Sequence, residues 1–290
     1  MQKQKNNATK ETRIKSSFWG DAWRRLKQDR AAVVLVLLIL CGIFAPYIAP
    51  DPYDLQDTTA TFQLPNAQHL LGTDNFGRDI LSRIIYGSRV SLIVGFSSII
   101  VAIIVGGLLG AISGYYGGKV DNILMRLMDI LMAIPGMLLA ISLAAVLKPG
   151  LMNLVIAIAI AEVPGYARVV RASVLTIKDQ EYIEAATCIG ASDRRIILRH
   201  IIPNCMAPII VQATLGVAGA ILSAASLSFL GLGIQPPTPE WGSMLSSARQ
   251  FIRQYWHMTT FPGLAIMITI FALNVLGDGL RDALDPRMKN

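Results

Sequence analysis

Charge is scarce in this sequence. Only 16% of its 290 residues are Asp, Glu, Lys or Arg, where a soluble domain carries about 25%. Residues 31–50, 90–118, 130–147, 201–239 and 258–277 carry no charge at all. About 20 apolar residues make a helix that crosses the ~30 Å hydrocarbon core, so a soluble globular domain is excluded. The runs are continuous rather than alternating, which excludes a barrel. Cysteine is sparse too: Cys41, Cys188 and Cys205 lie far apart without C-x-x-C spacing, which excludes a disulfide framework. His69, His200 and His257 are equally scattered, and no metal site or cofactor is expected. No G-x-x-x-x-G-K-[ST] loop is present to cradle a phosphate, so ATP hydrolysis is not expected of this chain. No nucleophile–base pair stands out, and no catalytic residue is assigned. What remains is an all-α polytopic membrane protein with six transmembrane helices.

The placement of the basic residues orients it. The formal net charge is +7. With a cytoplasmic amino terminus and six spans, the inner segments hold twenty of the 26 Lys and Arg, and the outer ones only Arg78, Arg83, Arg89, Lys148, Arg249 and Arg253. The acidic residues divide thirteen inside to six outside. This is the positive-inside asymmetry. It accounts for the basic balance through the lipid bilayer, with no need of nucleic acid.

In chain order, residues 1–30 read as a cytoplasmic tail whose end, Phe18 to Arg30, forms an interfacial helix with Trp19 and Trp23 on one face. Residues 31–50 are an uncleaved first span, and 51–88 an outer loop. There Thr73 or Asp74 could cap a short helix, leading to a capped, ion-paired start of span two. Residues 89–278 hold the other five spans, and 279–290 a cytoplasmic tail. Span two, from about Val90, carries Gly106 and Gly110 in a G-x-x-x-G pair, read as close packing within the chain. Span three covers roughly Leu124 to Leu147. Arg126 and Asp129 can pair on its face, and Pro135 should kink it. Its methionines, Met132 and Met137 among them, read as core filler or as a pliable path lining. Span four runs from Leu151 to about Ala167 and continues past the membrane. Glu162 within it is a functional hypothesis by default, or an interfacial carboxylate within reach of Arg168. Pro208, Gly216 and Gly219 point to a bend in span five. Trp241 and Trp256 read as interfacial anchors.

The longest polar island, Tyr182 to Pro203, organises the rest. Ile183, Ala186 and Ile189 recur at helical spacing before Gly190, and Ile196, Ile197 and Ile201 after it. This predicts two short amphipathic helices joined at a glycine that takes the left-handed conformation. Such an elbow lies outside the bilayer and offers a grip to another protein, or is simply a solvated loop.

Four stretches carry a resemblance. Glu184-Ala185-Ala186, then Gly190, then His200-Ile201-Ile202-Pro203 resembles the EAA loop of binding-protein-dependent ABC importer permeases, with Ile202 where a Leu is usual. The run His69 to Asp79, with Gly72, Thr73, Asp74, Gly77, Arg78 and Asp79, followed by Ser82-Arg83, is similar to a signature of the C-type dipeptide, oligopeptide and nickel permeases. Leu227 to Gly233 with Pro236-Pro237 and Glu240-Trp241-Gly242, and Asp278 to Arg287, match two further family stretches.

The resemblance implies the type I ABC importer (MetI-like) permease fold, with a coupling loop at about 168–203. Glu184, Ala185, Ala186, Gly190, Arg194, Arg195, His200 and Pro203 would dock on an ATPase. Met132, Pro135, Met137, Glu162 and Ser226 would line the path. It also implies its partners: a B-type permease as heterodimer, two cytoplasmic ABC ATPase subunits and an extracytoplasmic peptide-binding protein. The setting would be a bacterial inner membrane with both termini cytoplasmic, and the cargo dipeptides or short oligopeptides, alternatively glutathione or nickel. A secondary transporter would want more ionisable residues within its spans or an inverted repeat.

Overall fold

The computed structural model describes residues 30–284, with side chains over 31–283. The interfacial helix expected over 18–30, the ends of both tails and the last residues of the carboxy-terminal motif lie outside them. All regular elements among the described residues are helical. In chain order they are α1 (Arg30–Ile43), α2 (Ala45–Ile48), α3 (Ile80–Tyr116), α4 (Gly118–Met132), α5 (Gly136–Leu147), α6 (Leu151–Ile177), α7 (Glu181–Cys188), α8 (Asp193–Ile196), α9 (Met206–Phe229), α10 (Trp241–Ala248) and α11 (His257–Leu284).

Four helical runs are long and apolar enough to cross a membrane: α3, α6, the run Asp193–Phe229 that ends in α9, and α11. α4 and α5, with an 84° bend between them, count as a fifth when taken together as one broken span. α1 is apolar but short, at Ala31–Ile43. Six spans are compatible with this set. Pro135 does more than kink span three. It lacks the N–H that would continue the ladder, so α4 stops at Met132 and α5 restarts at Gly136.

α3 begins ten residues before the first apolar stretch suggests, because the Asp79 carboxylate accepts the N–H of Ser82 at 2.7 Å and caps it there. Capping therefore falls to Asp79, not to Thr73 or Asp74. The irregularity expected within span five also moves. α9 runs unbroken through Pro208, Gly216 and Gly219. The disruption lies upstream, where Ile197–Ile201 is wound as a π turn and Ile202–Cys205 as a 3₁₀ turn. Pro203, with no N–H to give, sits at that change of winding.

The core is built on α3 and α6. In lipid there is no hydrophobic drive between spans, so contact depends on small residues that let backbones close. A Cβ on Gly106 would stand 2.5 Å from the Val163 carbonyl, one on Gly110 2.2 Å from that of Ala167, and one on Gly114 2.8 Å from Val174 Cβ. The G-x-x-x-G pair is thus an internal seam. Around it Ile99, Ala102, Leu154, Ile158, Tyr166 and Ile221 are buried. Tyr166 donates to the Gln212 carbonyl at 3.2 Å, which ties α6 to α9.

Gly110→Ala should destabilise the protein by about 1–3 kcal/mol through overpacking. Gly107→Ala, whose Cβ would meet only Val170 at 3.9 Å, should be neutral or slightly stabilising. Thermal unfolding of both variants in one detergent checks the contrast.

Candidate functional site: the elbow and the capped loop

Two regions at opposite ends of α3 carry the polar chemistry. The first is the elbow at its carboxy-terminal end. α7 places Glu181 and Glu184 in its first turn, where carboxylates suit the helix dipole. At its end the Ala191 N–H reaches the Ala186 carbonyl at 3.1 Å and the Gly190 N–H that of Thr187 at 3.0 Å. This is a Schellman termination, with Gly190 at φ +78°. The reversed chain enters α8 and the π turn. Ile183, Ala186, Ile196, Ile197 and Ile201 bury against Ala111 of α3 and Val170 and Val174 of α6. The expected face is otherwise correct, but Ile189 does not belong to it. It stands on the bend, 85% exposed, because Gly190 turns the chain before a second helical repeat can close.

Glu184, Ala185, Gly190, Arg194, Arg195 and Pro203 are exposed, His200 is half-buried and Ala186 is buried. Glu184 lines an open groove of about 510 Å³ with Tyr115, Lys178, Asp179, Ile183, Thr187 and Cys188. The elbow therefore has an apolar face glued to the bundle and a mixed face open to contact.

The second region is the loop before α3. Asp74 accepts the N–H groups of Phe76 and Arg78 at 2.8 and 3.1 Å through Oδ1. Its Oδ2 accepts from Arg78 Nε at 2.6 Å and lies 3.8 Å from Arg83 Nε. Arg78 and Arg83 are each only 4% exposed. Arg83 also donates to the Tyr53 carbonyl at 3.0 Å. Thr73 is fully buried; its hydroxyl accepts the Gln63 N–H at 2.9 Å and donates to the Ala60 carbonyl. Side chains at Gly72 and Gly77 would strike the carbonyls of Gln63 and Asp57. The six signature residues thus hold a compact turn against the start of α3. The sequence scatters the three histidines, with no metal site expected; the fold gathers His69 with Asp51 and Asp79 within 4.8 Å. The His69 Nδ1–Asp79 Oδ1 contact of 3.1 Å is a hydrogen bond to the carboxylate that caps α3.

The same end holds Glu240, 1% exposed, whose carboxylate caps α10 by accepting the N–H groups of Gly242 and Ser243 at 2.9 and 2.8 Å. Trp241 is fully buried and donates to the Ile84 carbonyl at 3.1 Å. It is a core residue and not an interfacial anchor; Trp256, 52% exposed, is free for that role.

The residues expected along a path are not gathered into one cluster. Met132, Pro135 and Met137 are exposed around the break between α4 and α5. Ser226 donates to Leu222 of its own helix at 2.8 Å. Glu162 is half-buried on α6, and among the described residues no hydrogen bond or ion pair joins it to the others or to Arg168. Arg168 instead donates to Asp129 at 2.5 Å, so Arg126 is not the partner of Asp129. Sequence reasoning also missed Asp121, which receives Arg171 Nε and Nη2 on its two oxygens, each at 2.5 Å. The available signal was the i, i+3 pair of arginines on one helix opposite two aspartates on another.

Residues 106–290 match the family of binding-protein-dependent transport system inner membrane components. Residues 17–66 match the N-terminal transmembrane domain of oligopeptide transport permease C. This chain belongs to that family of permeases. It is 46% identical to the di/tripeptide transport system permease protein DppC of Pseudomonas aeruginosa, covering 92% of each chain. It is 49% identical to the dipeptide permease DppC of Alkalihalophilus pseudofirmus, over 94% of this chain and 91% of that one. It is 48% identical to the glutathione transport system permease protein GsiD of Escherichia coli, over 93% and 91%. Among solved structures, the inward-facing MetNI methionine ABC transporter aligns with a TM-score of 0.57 at 16% identity, over 70% of this chain and 96% of that one. That likeness speaks for the fold of the permease.

Burial pushes the Glu240 carboxyl above the usual carboxylate range, against the downward pull of the Gly242 and Ser243 N–H donors. A raised carboxyl pKa in the fold means that stability is highest below the ordinary value and falls as pH rises towards the folded one. Glu240→Gln should flatten that fall while keeping an acceptor for the cap. Glu240→Ala should also remove that fall, and its loss of the cap, about 1 kcal/mol, should be most evident at the acid end, where the protonated Glu240 stabilises the fold most. Melting temperatures across pH 4 to 8, by order of ~1 unit steps around the carboxylate range, check both.

Proposed function

We propose that this permease is the C-type half of an ATP-driven importer of short peptides. A B-type permease completes the pathway, two ATPase subunits supply the energy, and an extracytoplasmic binding protein delivers the cargo. The elbow and both termini face the cytoplasm of a bacterium, in keeping with the basic residues on that side.

The observation that carries this reading is the two-faced elbow. Ile183, Ala186, Ile196 and Ile201 fix it to α3 and α6, while Glu184, Ala185, Ile189, Arg194 and Arg195 stay open. A segment rigidly attached on one side and open on the other transmits displacement; a solvated loop would absorb it. Chemistry on the cargo is not needed. A loaded binding protein docks on the loop end, ATP brings the two ATPases together, and the elbows carry that approach into the spans. Met132, Pro135 and Met137, at the break in the bent span, and Glu162 and Ser226 are the path residues of this reading.

Short peptides are favoured as cargo by the names of the relatives. Di- and tripeptide permeases and glutathione permeases resemble this chain equally well, and glutathione is itself a tripeptide. Glutathione therefore stands as the second reading within one chemical class.

Gly190→Pro replaces a residue at φ +78° by one fixed near −65°. In proteoliposomes holding the full complex, this variant should abolish uptake of a labelled dipeptide while ATP hydrolysis persists. Ile189→Glu should weaken retention of the ATPase subunits on purification by roughly 2 kcal/mol, the cost of losing an apolar anchor. Undiminished uptake with Gly190→Pro, or a complex that never contains an ATPase, would remove the elbow from its role.

A further inference from the structure

We propose that two arginine–aspartate pairs between α6 and α4 carry the elbow's motion to the broken span, with Arg171–Asp121 the principal link. The inference rests on the elbow being the segment the ATPase grips.

The chain path supplies the first half of the argument. α6 ends at Ile177 and α7 begins at Glu181, so only residues 178–180 separate the elbow from a span. Any displacement of the elbow moves the end of α6. Arg171 lies less than two turns before that end.

The contacts supply the second half. Arg171 grips Asp121 with Nε on one oxygen and Nη2 on the other, both at 2.5 Å. A bidentate pair fixes orientation as well as distance. It therefore transmits rotation, which a single lysine contact would not. Ser113 of α3 donates to the same Asp121 oxygen, so the ends of three helices meet on one carboxylate. Further along, Arg168 holds Asp129 at 2.5 Å. Asp121 lies in the first turn of α4, and Asp129 one turn before its end.

α4 has little else to hold it. Met128 is its one buried residue among those described. Beyond it come residues 133–135 and the 84° bend. A helix weakly packed along its length, gripped twice by charged pairs and ending in a hinge, moves as a lever with the arm that grips it. Asp121–Arg171 is half-sheltered, with 16% and 32% exposure, while Asp129–Arg168 stands at 58% and 47%. Screening leaves the exposed pair the weaker of the two. The tie from Tyr115 Oη to Asp193 Oδ1, 2.9 Å, fastens the far leg of the elbow to α3. The elbow is thereby referenced to the rigid seam while α4 is driven.

Charge reversal tests this. The variants are Asp121→Arg, Arg171→Asp and the two together, in the complete transporter with its ATPase subunits and binding protein. In a background with the native cysteines replaced, Ile130→Cys on α4 and Leu222→Cys on α9, both exposed and outside the residues assigned to the path, carry spin labels, and pulsed EPR reads the ATP-dependent distance change in nanodiscs. Each single reversal should keep the ATPase subunits bound and ATP hydrolysed, yet abolish the distance change and lower labelled-dipeptide uptake per ATP by on the order of tenfold. The double reversal should restore both. Asp129→Arg should do less than Asp121→Arg. Single reversals that keep the parental distance change, a double that fails to recover it, or single reversals that shed the ATPase would each overturn the link. A parent complex without an ATPase would instead overturn the proposed function.

Discussion

Backbone contact between α3 and α6 is the constraint on which this protein depends. Lipid tails solvate leucine as well as a neighbouring helix does, so apolar side chains alone give two spans no reason to stay together. Gly106, Gly110 and Gly114 remove the side chains that would hold α3 off α6, and dispersion over the resulting close contact does the rest. The seam then fixes everything attached to α6. Its direction sets where Arg168 and Arg171 point, and its end sets where the elbow starts. Buried Ile183, Ile196 and Ile201 complete the attachment by packing on the last turns of the same two helices.

The other end of α3 is held by a different kind of interaction. Asp74, Asp79, Arg78, Arg83 and Glu240 are all 7% exposed or less. Such groups are tolerable only when hydrogen-bonded or ion-paired. Each of them is: Asp74 by two guanidinium groups and two N–H donors, Asp79 by Ser82 and His69, Glu240 by the first turn of α10. Removing one member of such a set leaves the rest buried without partners. The loop is therefore expected to behave as a rigid cap and not as a mobile strand of chain. Under the proposed function, such a cap would present one shape to the binding protein while the helices beneath it shift.

What the sequence revealed follows the range of the interaction. Spans were legible because lipid demands long uncharged runs, and the elbow because helical spacing and a left-handed glycine are local. The α3–α6 seam was legible as a kind of contact, since G-x-x-x-G marks close approach within the chain, though the seam's partner helix was not. Pairings across distant segments could not be read. Arg126 stood beside Asp129, and Glu162 within reach of Arg168, so local reasoning joined them; the fold instead joins Arg168 to Asp129 and Arg171 to Asp121. Trp241 failed for the same reason. An indole near a loop reads as interfacial until Gly87 is seen making room for it on α3, and Gly242 beside it letting α10 close on the Ala225 backbone of α9.

These two ends explain why the bent span is where it is. A transport pathway needs one element that can change shape while its surroundings keep theirs. α3, α6 and α9 share a buried core through Ile99, Tyr166 and Ile221, and the capped loop locks the start of α3. α4 and α5 bury only Met128, Ala140 and Ala144 between them, and a proline severs their hydrogen-bond ladder. The weakly packed, broken span is thus the cheapest part of the molecule to displace. It is also the span to which α6 is tied by charge. Rigidity in the seam and compliance at Pro135 are complementary requirements. Under the proposed function, a stiffer α4–α5 would leave the elbow nothing to move, and a looser seam would let its displacement dissipate before it reached the broken span.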